Sequence, residues 1–156
     1  RIFVYRNKNN QPCLLCATLI IKSLKTPPRP GETGSTTASP RSARRMVTIL
    51  VEMLLDPLRR VWGSPIVISS GYRCPELNIL IGGAKHSHHL LGCAADLIAG
   101  SPDDHRRLFR LIQETHELCG LEFTQLILEP GARWIHISYV PGNLRCQVID
   151  KEKSPN

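Results

Sequence analysis

Gln125-Leu126-Ile127-Leu128-Glu129, Pro130-Gly131-Ala132-Arg133 and Trp134-Ile135-His136-Ile137-Ser138 form one continuous stretch. Two apolar runs, the second strictly alternating, flank a Pro-Gly turn, which is the pattern of an antiparallel hairpin. In the second run, alternation sends Ile135 and Ile137 toward a core and sets Trp134, His136 and Ser138 on the opposite, polar face. The hairpin needs further strands and a layer to cover its apolar side, and the preceding residues supply both.

Upstream, Ala94 to Ile98 reads as a strand with Asp96 in its middle, preceded by Ser87-His88-His89-Leu90-Leu91-Gly92-Cys93. Ile66-Val67-Ile68-Ser69 is a shorter β-branched strand leading into Gly71-Tyr72-Arg73. Ser101-Pro102-Asp103-Asp104 combines an N-cap, a first-turn proline and first-turn acids, so a helix starts there. Leu108, Leu111, Ile112 and Thr115 are its buried stripe and Gly120 its stop. A short helix opens at Cys74-Pro75 and ends by Gly82-Gly83. Val47, Leu50, Val51, Leu54, Leu55, Leu58 and Val61 predict an amphipathic helix over residues 43–61, with Pro57 as a kink or an early end. These elements predict an α+β domain with a small, mostly antiparallel sheet packed against helices.

The 156 residues suit one domain, and their 42% hydrophobic content is enough for a core. The net charge of +7 is unevenly placed: residues 1–45 hold nine Arg and Lys against Glu32 alone, leaving 11 basic and 12 acidic side chains beyond. The near-neutral body argues against specific nucleic-acid binding, and a monomer is expected. Thr26 to Ser42, rich in Pro, Gly, Ser and Thr, reads as a linker. The apolar run from Cys13 to Ile21 reads as a buried strand or helix rather than a signal core, because Lys22-Ser23-Leu24-Lys25 offers no cleavage site. No run reaches the ~18 apolar residues of a membrane span. The six cysteines (13, 16, 74, 93, 119 and 146) read as free thiols, and the Cys13-x-x-Cys16 pair lacks the second pair of a zinc finger.

Asp96 carries the most information about chemistry. An ionised carboxylate among Ala94, Ala95, Leu97 and Ile98 costs several kcal/mol to bury unpaired, so it requires a cation or strong donors. With His89 and His136 it would make a set of three protein ligands, leaving one tetrahedral position open, as in catalytic zinc sites. Glu129 ends the strand that pairs with the His136 strand and is the candidate general base. Two plainer readings stand beside this one: a strand histidine is often a satisfied core or surface residue, and Arg73 alone can neutralise Asp96.

Ser69-Ser70-Gly71-Tyr72-Arg73, Gly82-Gly83-Ala84-Lys85, the Ser-x-His-x-x-Gly-x-Ala-x-Asp run from Ser87 to Asp96, and Trp134-x-His136-x-Ser138 resemble the zinc D-alanyl-D-alanine carboxypeptidase family. That family includes D-Ala-D-Ala dipeptidases and phage L-alanyl-D-glutamate endopeptidases and shares its fold with the Hedgehog signalling domain. The resemblance runs from Met46 to Tyr139. It implies one Zn2+ held by His89, Asp96 and His136, Glu129 as base, and Arg73 recognising a substrate carboxylate or carbonyl. It further implies hydrolysis of peptidoglycan stem peptides, as a D-Ala-D-Ala carboxypeptidase or an L-Ala-D-Glu-type endopeptidase, at the cell wall. A non-catalytic, zinc-stabilised module binding cell-wall peptides is the alternative. The domain organisation expected is an atypical N-terminal segment over 1–45, a peptidase domain over 46–148 and a flexible tail over 149–156; residues 1–45 do not follow the family.

Overall fold

The structure, a computed structural model, describes residues 40–153. The expectations for Cys13, Cys16, the apolar run before Lys22 and most of the linker lie outside these residues. The elements are α1 (Pro40–Leu50), a π-helical turn (Val51–Leu55), α2 (Asp56–Trp62), β1 (Val67–Ser70), α3 (Pro75–Leu80), a 3-10 turn (His88–Leu91), β2 (Ala94–Ile98), α4 (Pro102–Cys119), β3 (Gln125–Leu128), a 3-10 turn (Pro130–Ala132), β4 (Ile135–Ser138) and β5 (Gln147–Asp150).

The sheet order is β1-β2-β4-β3-β5, with the first three pairings antiparallel and β5 parallel to β3. This is the α+β architecture that the hairpin and helix patterns imply. The sheet extends past the boundary drawn at residue 148: Ile149 and Asp150, assigned from the sequence to a flexible tail, pair with Ile127 and Leu128. Four residues ahead of a charged stretch carry too short a signal to stand out as a strand.

The first helix departs from expectation at its start and in the middle. Pro40, Arg41 and Ser42 belong to α1 rather than to the linker, because a proline at the start of a helix gives up only an N–H that would have no intrahelical partner. Pro57 neither ends nor breaks the helical path. Its ring would collide with a carbonyl one turn back, and the turn before it is widened: Asp56 N–H donates to Val51 O, a five-residue step. Leu50, Leu54 and Leu58 thereby stay on one buried stripe, each at most 2% exposed.

α4 follows its sequence signals closely. Ser101 Oγ accepts from Asp104 N–H while Asp104 Oδ2 accepts from Ser101 N–H, a reciprocal cap. Gly120 closes the helix at φ 70°. Leu108, Ile112 and Thr115 are buried as expected, with Leu111 half-buried, and His105 and Phe109 join them.

The helices and one sheet face share a single core. Leu97 of β2, Leu126 and Leu128 of β3, and Ile135 and Ile137 of β4 pack with Leu54, Leu58, Leu108, Ile112 and Phe123. By strand alternation, Asp96 and His136 therefore face away from this core. One close approach fixes the segment that leads into β2. Gly92 sits at φ 74°, where a Cβ would lie 2.6 Å from the Ala43 carbonyl oxygen of α1. A side chain there would be both strained and in collision, which is why the run needs glycine.

Candidate metal centre

The register of the sheet assembles most of the site. Asp96 of β2 pairs directly with His136 of β4, Ser70 of β1 lies opposite Asp96, and Ile127 of β3 lies opposite His136. A single row across the sheet thus reads Ser70, Asp96, His136, Ile127. The third member, His89, enters from the 3-10 turn that Ser87 caps through its Oγ.

The three side chains converge. Asp96 Oδ1 is 3.2 Å from His89 Nε2 and 3.0 Å from His136 Nδ1, and the two nitrogens are 3.2 Å apart. Ligand bonds of about 2.0–2.1 Å in a tetrahedral site give ligand–ligand edges of about 3.3 Å. The observed edges are close to that value. His89 Nδ1 lies 2.7 Å from the Gly71 carbonyl oxygen, which can only accept, so Nδ1 carries a proton and the ring is held with Nε2 toward Asp96. His89 Nε2 and His136 Nδ1 both face Asp96 Oδ1, so two ring nitrogens and a carboxylate oxygen surround one point. Burial opposes ionisation of Asp96, yet hydrogen bonds with His136 and His89 and the field of those rings hold its pKa well below the ordinary aspartate range. The donor set fits a zinc ion, and it is the only group of three or more His, Cys, Asp and Glu side chains so placed among the described residues.

Arg73 and Ser70 complete the immediate surroundings. Arg73 Nη2 donates to Asp96 Oδ2 at 2.5 Å and Arg73 Nε donates to Ser70 Oγ at 2.8 Å. The Arg73 N–H also bonds the His89 carbonyl, so the loop after β1 holds both the carboxylate and the histidine turn. The plainer sequence reading of Arg73, as a partner of Asp96, is thus realised in the structure. Oδ2 engages the guanidinium while Oδ1 points to the two histidines.

Glu129 follows β3 directly, two residues beyond Ile127, which places it on the same face as His136. Its backbone N–H bonds the Trp134 carbonyl at 3.1 Å across the hairpin. Its carboxylate does not stand alone: Lys151 Nζ lies 2.9 and 2.8 Å from its two oxygens. Trp134 is half-buried with the Arg133 guanidinium 5.0 Å from its ring centre.

Several contacts around the site were not supplied by the sequence reading. The Gly71 carbonyl orients His89, but backbone acceptors leave no residue-type signal. Ser138, fully buried, places its Oγ 3.0 Å from His88 Nδ1; burial, then the charges of His136, Arg145 and His89, lower the His88 pKa. His105 Nδ1 donates to the Ala132 carbonyl at 2.6 Å, fastening the 130–132 turn to α4. Its position on the stripe with Leu108 and Ile112 was the available clue. His86 is exposed, and Cys93 is a buried free thiol and not a fourth ligand.

Comparison with known proteins agrees with this centre. The family described as Peptidase M15 matches residues 24–138, a span that includes His89, Asp96, Glu129 and His136 and that also takes in residues 24–45, which the sequence reading sets outside the family. A zinc D-Ala-D-Ala carboxypeptidase of Streptomyces albus G is 38% identical over 69 residues, 44% of this chain and 26% of that protein. The chain thus matches about a quarter of the length of this relative. No helix among the described residues is long and apolar enough to cross a membrane. With its motifs in order, three donor atoms converging on one point and the family match covering most of its length, this chain belongs to the Peptidase M15 family.

Proposed function

We propose that this chain is a zinc-dependent peptidase that hydrolyses peptidoglycan stem peptides at a bond next to a D-amino acid, as a D-Ala-D-Ala carboxypeptidase or an L-Ala-D-Glu-type endopeptidase. The observation that carries the reading is the convergence of His89 Nε2, Asp96 Oδ1 and His136 Nδ1, in a member of the Peptidase M15 family. A bound Zn2+ would supply Lewis-acid polarisation of the scissile carbonyl and acidification of a water molecule.

The residues of this chain then have separate tasks. His89, oriented by the Gly71 carbonyl, and His136, set by the β2–β4 register, hold neutral imidazoles toward the ion. Asp96 supplies the anionic donor through Oδ1, while Arg73 fixes the carboxylate through Oδ2. Arg73 Nη1 takes part in neither of the side-chain bonds above, and a terminal carboxylate or a carbonyl of the substrate is a suitable acceptor for it. Glu129 accepts the proton of the attacking water and returns it to the leaving amine.

A muropeptide carrying an L-Ala-D-Glu through D-Ala-D-Ala stem, analysed by mass spectrometry with and without chelator, tests the reading and identifies the bond. Glu129→Ala is expected to keep stoichiometric zinc and to lose about a hundredfold or more in turnover, the usual contribution of a general base. Full hydrolysis by that variant removes Glu129 from the mechanism. Muropeptide binding by the wild-type protein without turnover at any pH points instead to a zinc-stabilised binding module.

A further inference from the structure

The segment after β5 reaches back to the hairpin. Lys151 N–H donates to the Leu128 carbonyl at 3.1 Å, continuing the parallel ladder one residue past Asp150. From that anchored position its side chain crosses to Glu129, where Nζ bridges both carboxylate oxygens. The turn carrying Lys151 is fastened from the other side: Arg106 of α4 donates through Nε and Nη2 to the two oxygens of Glu152, at 2.8 and 2.6 Å. Glu152 N–H bonds Asp150 Oδ1 at 3.0 Å, closing the turn on itself.

We propose that Lys151 is a positioning residue for Glu129, and that the Arg106–Glu152 pair holds the turn that presents it. The proposal rests on the reading of Glu129 as the general base. A glutamate side chain has three rotatable bonds, and a base must meet its proton within hydrogen-bond reach in a defined direction. An ammonium bridging the two oxygens holds the carboxylate plane while further lone pairs remain on each oxygen. The Glu129 side chain is 14% exposed and Lys151 41%. A pair open to solvent at one end contributes little to fold stability, so its strongest effect is expected on the orientation of the carboxylate. The matched family segment ends at Ser138, so this support comes from residues beyond it.

The test uses the full zinc-loaded chain and a disaccharide pentapeptide whose stem contains both L-Ala-D-Glu and D-Ala-D-Ala bonds. Lys151→Met is expected to lower kcat by about tenfold or more, with KM within about twofold and with zinc content and unfolding midpoint unchanged. Lys151→Arg, which keeps the charge and can still bond both oxygens, is expected to restore most of kcat. Glu129→Gln combined with Lys151→Met is expected to be no slower than Glu129→Gln alone, because the two act as a unit. In crystals of zinc-free Lys151→Met, the Glu129 carboxylate is expected to leave the position described above. Wild-type kcat in Lys151→Met beside an inactive Glu129→Gln overturns the role of Lys151 and leaves the base intact. Full activity in Glu129→Gln overturns the base reading and this proposal with it. Equal losses in Lys151→Met and Lys151→Arg, accompanied by a lower unfolding midpoint, would show an ordinary structural contact and overturn the proposal.

Discussion

On the helix-covered face of the sheet, Leu97, Leu126, Ile135 and Ile137 are fully shielded from solvent and lie in one apolar cluster with α1, α2 and α4. One residue along the same strands, Asp96 and His136 occupy the other face, where they are joined by side-chain polar contacts to each other, to His89 and to Arg73. The first face is held by area removed from water, which is non-directional and tolerant of detail. The second is held by directed contacts: the Gly71 carbonyl on His89, Arg73 on Asp96, and three donor atoms close enough together to hold a cation. A sheet two residues in period can therefore carry a dry core and an ion site back to back, provided loops from outside the sheet complete the polar face.

The largest expected effect comes from removing a donor on that polar face. His89→Ala is expected to abolish both zinc retention, read by metal analysis, and turnover. It should also remove the zinc-dependent rise in stability, about 2.7 kcal/mol at a zinc concentration a hundredfold above Kd. Retention of zinc by His89→Ala at wild-type affinity would break the contrast between the faces.

Next comes the core face. Ile137→Ala, adjacent to His136 but pointing into the apolar cluster, is expected to cost about 2–5 kcal/mol in denaturant unfolding. The loss should be the same with and without zinc, and zinc affinity in the folded fraction should be little changed. A large drop in affinity would mean that the two faces are coupled through the strand.

The smallest effect concerns the helix layer that covers the core. Ser101→Ala removes the cap of α4 and is expected to cost about 1 kcal/mol, independent of zinc. Bonds from the Ser101 side chain, and then its backbone, hold the Asp104 pKa below its ordinary value. A lowered folded pKa means that the contribution is present above the unfolded aspartate range and is lost as pH falls through the folded value. Ser101→Ala should therefore flatten the acid limb of a stability–pH profile, and an unchanged limb would show that the cap is not what the carboxylate reports.

The local signals read best where one period dominates. α4, β2 and the β3–β4 hairpin stand close to where cap residues, alternation and the Pro-Gly turn put them. The candidate site was legible for a related reason. A carboxylate amid Ala94, Ala95, Leu97 and Ile98 has to be neutralised, and a histidine on the polar phase of a strand has to point somewhere. The π turn before Pro57 and the four residues of β5 were not legible, since both depend on long-range packing that outweighs a short or contradictory local pattern. The partners of Glu129 belong to the same class: Lys151 lies 22 positions away and meets it only because β5 runs parallel to β3.

By itself, the chain of residues determined which face of each strand is apolar, where α4 starts and stops, and which side chains carry ligand chemistry, because periodicity and desolvation cost are local properties. Tertiary structure alone decided that Asp96 meets His136 rung to rung, that Oδ1 rather than Oδ2 turns to the histidines, and that Lys151 reaches Glu129. Those are matters of register and of backbone carbonyl placement, and both arise only when segments distant in sequence are hydrogen-bonded into one sheet.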